Sequence, residues 1–210
     1  MSVKTAIKDH FASNHWKEHF KNTSFTEHLE NASLKKHWSN HWDYFFQNHL
    51  ENRSLEVCNK DNQMNFRRFS WEDLDECAEL FLKVFTADPW YDNWISLPQA
   101  KNYLGELIEN PVFEGFVACE SSDIVAVCLG HMRSWWMGNE FFVDEFFVEN
   151  GKQGNGIGTK MMDYVTSNIA SNGYMRVILL TNKDVPAESF YLKNGFKNNP
   201  HRTVMAKNLS

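Results

Sequence analysis

The sequence predicts an α/β fold of the α+β type, with a central mixed sheet flanked by helices and a helical extension ahead of it. Three observations carry this. Strand-like runs cluster first and then alternate with helical patterns, as in a mixed sheet with a crossover connection. An acid-bearing apolar strand, Asp144-Glu145-Phe146-Phe147-Val148, leads into Gln153-Gly154-Asn155-Gly156-Ile157-Gly158, and a helical pattern starts at once. Composition also breaks along the chain. All ten glycines lie at Gly105 or later and no proline precedes Pro89, whereas seven of nine histidines lie before residue 50. The 210 residues suffice for one full core and a smaller appendage, which divides the chain into residues 1–60 and 61–210.

In the second part, Asn65–Phe69 reads as a first strand. Ser70-Trp71-Glu72-Asp73 resembles a capping box with Asp in the acidic place, and it opens a helix through Leu74, Cys77, Leu80, Phe81, Val84 and Phe85. Asp88-Pro89-Trp90 ends that helix. A second helix starts at Ser96, runs through Ala100, Leu104, Leu107 and Ile108, and stops before Pro111. Strands follow at 112–120 and 124–133 around the turn Ser121-Ser122-Asp123. Met137-Gly138-Asn139 turns into the strand Phe141–Val148. A helix over about 156–171, a strand at Val177–Thr181, a helix at Pro186–Asn194 and a closing strand pair from Phe196 complete the order.

The first part contains a duplication. His15-Trp16-Lys17-Glu18-His19-Phe20 matches His37-Trp38-Ser39-Asn40-His41-Trp42, and His28-Leu29-Glu30-Asn31 matches His49-Leu50-Glu51-Asn52. Apolar residues recur at helical spacing, so residues 1–60 are expected to form short amphipathic helices. Two copies are too few for a self-supporting solenoid. His15/His19 and His37/His41 have an i,i+4 spacing that can hold a transition metal. No nearby cysteine completes a ligand set, and no metal is assigned.

The formal charge is −6. Residues 1–65 hold eight basic and eight acidic side chains, so residues 66–210 carry the whole acidic excess. This argues against a nucleic-acid binder and suits a cationic substrate. Cys119 and Cys128 lie in apolar runs and are expected to be reduced core residues. Neither a signal region nor a membrane-spanning run is seen, so a cytoplasmic protein with no membrane partner is expected.

Glycines 154, 156 and 158 let the backbone turn tightly and bring N–H groups close to a ligand, and the following helix leaves its first N–H groups unpaired. That is a cradle for a pyrophosphate. The acid-bearing strand, Gln-x-x-Gly-x-Gly, helix, strand, and then Ala187-Glu188-Ser189-Phe190-Tyr191-Leu192-Lys193-Asn194-Gly195-Phe196 together resemble the Gcn5-related N-acetyltransferases (GNAT). The likeness covers about residues 64–208. Asp144–Val148 looks most like polyamine acetyltransferases, and Phe85–Trp94 like aminoglycoside-type ones.

The resemblance implies acetyl-CoA as co-substrate and transfer of acetyl to a primary amine of a small cationic molecule. An amine at neutral pH must lose a proton before it attacks a thioester. Strict strand alternation would put Asp144 on one face with Phe142, Phe146 and Val148, and Glu145 on the other. In relatives the base lies four or six residues before the strand's last Val, which favours Asp144, with Glu145 as the alternative. The Val148 N–H is implied as oxyanion donor and Tyr191 as the acid for the departing thiolate. Phe146, Phe147, Val148, Gln153, Gly154, Asn155, Gly156, Ile157, Gly158 and Thr159 are the implied coenzyme contacts, with Asn182 as a pantetheine contact. Trp90, Tyr91, Trp94, Trp135 and Trp136, with Asp88, Asp92 and Glu140, suit substrate discrimination by charge and cation–π attraction, and the aromatic residues suit a hydrophobic core equally well. Two alternatives remain at this stage: a protein lysine or N-terminal acetyltransferase, and a catalytically weak acetyl-CoA-binding module with a partner- or metal-binding extension. A homodimer is also expected from the aromatic stripes of the extension.

Overall fold

The computed structural model describes residues 64–209. The helices expected over residues 1–60, with their histidine pairs, lie outside the described residues. The sheet has five strands in chain order: β1 (Met64–Arg68), β2 (Phe113–Glu120), β3 (Asp123–Trp135), β4 (Gly138–Val148) and β5 (Arg176–Leu179). The first four are antiparallel neighbours and β5 runs parallel to β4, as the crossover pattern predicts.

Helices α1 (Leu74–Phe85) and α2 (Leu97–Ile108) cover one face. There Phe81, Leu104, Val117, Val127, Leu129 and Phe147 form one buried core. Helix α3 (Ile157–Ser171) covers the other, where Phe116, Val125, Cys128, Phe141, Met161 and Val165 form a second. Each such fully buried side chain contributes about 1.5–3 kcal/mol. A short helix, α4 (Pro186–Lys193), follows β5.

Local chemistry explains the helix starts. The Ser70 N–H donates to Asp73 Oδ2 at 2.7 Å, and Arg67 grips the same carboxylate at 2.6 and 2.8 Å. The predicted box is thus present, although its first turn, Trp71–Asp73, is a 3-10 helix. Ser96 caps α2 by accepting from the Gln99 N–H at 3.3 Å.

Two expectations are corrected. No strand forms after Phe196 among the described residues. Val204, Met205 and Leu209 are all more than two-thirds exposed, so this segment buries no face that would fix a strand register. Cys119 is disulfide-bonded rather than reduced, whereas Cys77 and Cys128 are free and buried.

The decisive irregularity lies between β3 and β4. Leu129 pairs with Glu145 but Gly130 pairs with Val143, which leaves Asp144 as an extra residue in β4. Gly130 permits the close approach at this β-bulge. A Cβ there would lie 2.3 Å from the Phe142 carbonyl oxygen and 2.7 Å from the Phe141 ring.

Candidate active site

The bulge rewrites the expected side-chain pattern. A strand alternates only while its pairing is regular, and one inserted residue reverses every face beyond it. Phe146 and Val148 therefore pack on the α3 side. Phe147 packs with α1 and α2, and Glu145, two residues before it, accepts from the Tyr103 hydroxyl on α2 at 2.5 Å. His131 pairs with Phe142, its ring 5.4 Å from that ring, and two residues beyond Leu129 it shares the α1/α2 face. Asp144 Oδ2 lies 2.7 Å from His131 Nδ1. Asp144 thus does not share a face with Phe146 and Val148. Both acids stand on the same side.

Their surroundings differ. Burial pushes the Glu145 carboxyl up to about 7. The hydrogen bond from Tyr103 opposes this, and the charges of Asp144 and Asp92 reinforce it. Burial and then the Glu145 charge push the Tyr103 hydroxyl above its ordinary range. The Asp144 and His131 side chains are 19% and 26% exposed.

Beside the acids the sheet opens. Pairing between β4 and β5 runs from Glu140–Arg176 to Val143–Leu179 and ends just before Asp144. The Glu149 N–H donates to Val125 O at 2.9 Å. Because strand N–H groups alternate in direction, those of Val148 and Phe146 point away from β3, into the gap. The Phe146 ring stacks on Phe190 at 5.5 Å and meets Tyr191 at 6.2 Å. Burial pushes the Tyr191 hydroxyl up, with the Cys128 and Glu145 charges adding, so it keeps its proton at neutral pH. Asn182 is exposed in the segment after β5.

The glycine loop closes the same end. Gln153 Nε2 donates to Val148 O at 2.9 Å, tying the loop to the strand it leaves. Gly154 and Gly156 both have φ of 79°, a left-handed conformation that other residues adopt only with strain. Asn155 donates to Lys152 O at 3.3 Å. The Lys160 N–H bonds Gly156 O, so the N–H groups of Ile157, Gly158 and Thr159 have no acceptor within the helix. A Cβ on Gly158 would lie 3.1 Å from the Phe190 ring and 3.6 Å from Val148 Cγ2. Loop, strand end and α4 therefore meet at one point.

The aromatic residues divide. Trp90 packs 5.7 Å from Phe85, and Trp94 packs 4.9 Å from Phe81 and 5.1 Å from Tyr103, so both back the core. Trp136, 83% exposed, sits at the β3–β4 hairpin tip. The guanidinium carbons of Arg133 and Arg202 each lie 5.5 Å from the Trp135 ring, so cations already attend it. Glu140 is buried against Arg133 and Arg176. Burial pushes its carboxyl up, but the two guanidinium groups prevail and hold it below the ordinary range. Its charge is neutralised internally and it does not serve as a substrate acid. Sequence reasoning missed His131 and Tyr103. The available signal for His131 was the β3 alternation, which puts it in phase with Val127 and Leu129.

Residues 112–198, a stretch that contains β2 to α4, match the family model described as the acetyltransferase (GNAT) domain. The chain carries a GNAT acetyltransferase domain. Solved structures agree on the fold. An aminoglycoside acetyltransferase from an uncultured soil metagenomic sample, in complex with sisomicin, is 19% identical with a TM-score of 0.57, covering 71% of this chain and 99% of that one. AAC(6')-Iy, in complex with the bisubstrate analogue CoA-S-monomethyl-acetylneamine, is 12% identical with a TM-score of 0.56, covering 70% and 99%. A predicted acetyltransferase from Clostridium acetobutylicum with acetyl-CoA is 19% identical with a TM-score of 0.53, covering 69% and 96%. No curated protein matches the chain in sequence.

The GNAT domain is that of an acetyl-CoA-dependent acetyltransferase. Its residues fit the co-substrate: two left-handed glycines, unpaired N–H groups at the α3 start, and an open β4 edge suit a diphosphate followed by an amide-bearing arm. Among the described residues no helix is long and apolar enough to cross a membrane, and no cluster of three metal-ligating side chains occurs.

Proposed function

We propose that the protein transfers acetyl from acetyl-CoA to a primary amine of a small cationic molecule, a polyamine or an aminoglycoside-like compound. The observation that carries this reading is the bulge, which turns Asp144 and Glu145 onto one face beside the gap faced by the Phe146 and Val148 N–H groups. The ligands named for two structural neighbours, sisomicin and CoA-S-monomethyl-acetylneamine, support the substrate class.

The residues divide the work. An ammonium group arriving at the acids gives its proton to Glu145, whose carboxyl is matched to neutral pH. The freed amine attacks the thioester carbonyl, so that a C–N bond forms as the C–S bond breaks. The Val148 N–H donates to the carbonyl oxygen as it gains charge. Tyr191 donates its proton to the departing sulfur and takes up the extra proton that the acetylated nitrogen still carries. This leaves a neutral amide and restores the phenol, while Glu145 returns its proton to solvent. Holding amine and thioester together contributes up to about 7–11 kcal/mol.

Release of free CoA thiol, measured against a panel of polyamines, aminoglycosides and lysine peptides, tests the reading. Turnover of the small amines is expected, and turnover of peptides alone overturns it. In Tyr191→Phe, kcat is expected to fall about 10–100-fold, below the full effect of a lost general acid, while acetyl-CoA affinity is retained. Gly156→Ala forces a left-handed conformation on an L-residue at about 1–2 kcal/mol. Calorimetry should then show acetyl-CoA Kd rising roughly 5–30-fold, and an unchanged Kd would remove the loop from the coenzyme site.

A further inference from the structure

The two acids on one face are unequal. Glu145 is bonded to Tyr103 on α2, whereas Asp144, with 19% of its side chain exposed, is bonded through Oδ2 to His131. One bond through one oxygen fixes the carboxylate's orientation and leaves Oδ1 available to a ligand. Besides His131, the charged and titratable groups around the pair are Asp92, which reinforces Glu145, Tyr103 on α2, Tyr191, which feels the Glu145 charge, and the buried Cys128 thiol behind Asp144. The nearest cation along the strand, Arg133, lies 5.4 Å from the Phe142 ring and is bonded to Glu140. The acid pair therefore has no arginine or lysine of its own among the described residues. Asp144 and Glu145 are consecutive, with Cα atoms about 3.8 Å apart. Two neighbouring acids held on one face, with no arginine or lysine beside them among the described residues, suit a ligand carrying two nearby positive charges.

We propose that His131 is a positioning residue of the acceptor site. By donating its Nδ1–H to Asp144 it holds that carboxylate as the seat for a second ammonium, so that the preferred acceptors are diamines with closely spaced amino groups. This inference rests on the acetyltransferase reading and adds to it. It names the acceptor geometry and assigns separate tasks to the two acids.

The test compares 1,3-diaminopropane with propylamine in the full-length wild type, His131→Ala and His131→Asn. An Asn amide can donate to Asp144 much as the imidazole does, whereas Ala cannot. Wild type should favour the diamine about tenfold, the value of one charge-assisted contact. His131→Ala should abolish the preference through the acceptor KM, with kcat and acetyl-CoA KM little changed, and His131→Asn should restore it. Equal impairment of both variants, or a preference untouched in His131→Ala, overturns the proposal. Chemical-shift titration of the same amines reads the same preference without turnover. Calorimetry with acetyl-CoA separately tests the acetyltransferase reading. If acetyl-CoA fails to bind, that reading falls; if it binds but the diamine shows no advantage, only the seat is lost.

Discussion

Glu145→Gln is expected to lower kcat by about 10²–10⁴-fold, the usual loss when a general base is removed. The change is nearly isosteric, and the Gln carbonyl still accepts from Tyr103, so acetyl-CoA affinity should persist. The pH dependence gives a second signature. Glu145 works as a base only when ionised, so wild-type activity should decline as pH falls through about 7, and the variant should lack that limb. Stability should move the opposite way. The folded-state pKa of Glu145 is raised from the ordinary 4.5 to about 7. The folded state therefore binds this proton more tightly than the unfolded chain. The resulting stabilisation is complete below about pH 4.5 and is lost as pH rises through 7. At pH 8 the buried charge costs up to roughly 3 kcal/mol, which Glu145→Gln should recover, while the two proteins should converge in acid. Denaturant titrations at pH 8 and pH 4.5 measure the difference. An unchanged kcat would move the base to Asp144.

Gly130→Ala is expected to damage fold and site together. The added methyl would meet the Phe142 carbonyl at 2.3 Å and the Phe141 ring at 2.7 Å. Backbone cannot yield as a side-chain tip can, so β3 and β4 must separate at the bulge. Overpacking of this kind costs about 1–3 kcal/mol. The separation would also misalign His131, Asp144 and Glu145, so kcat should fall further than stability alone predicts. Gly105→Ala is the control. Nothing lies within 4 Å of its Cβ, and it sits inside α2. It should stabilise by about 0.5–1 kcal/mol and leave activity alone. A bulge indifferent to Gly130→Ala would mean that Gly130 does not permit it.

Much of the architecture was readable from the chain because the signals are local. Ser96 before Leu97-Pro98 marks the α2 start, and the expected helix over about 156–171 is observed at Ile157–Ser171. The left-handed turns at Gly154 and Gly156 follow from residue type in the same way. The segment after Phe196 was misread for the converse reason. Its sequence looks strand-like, but a strand exists only where a neighbour accepts its ladder and a face is buried, and neither occurs there among the described residues.

Short-range chemistry thus determined the elements, their order, the glycine loop and the acidic dipeptide on β4. The tertiary structure decided which way that dipeptide points. A bulge is a property of two strands in register, invisible in either one alone, and it brought Asp144 to His131 and Glu145 to Tyr103 across gaps of 13 and 42 residues. It also decided that Glu140 is neutralised between two arginines and that Trp90 and Trp94 back the core, because which side chains meet across strands and helices is chosen by packing.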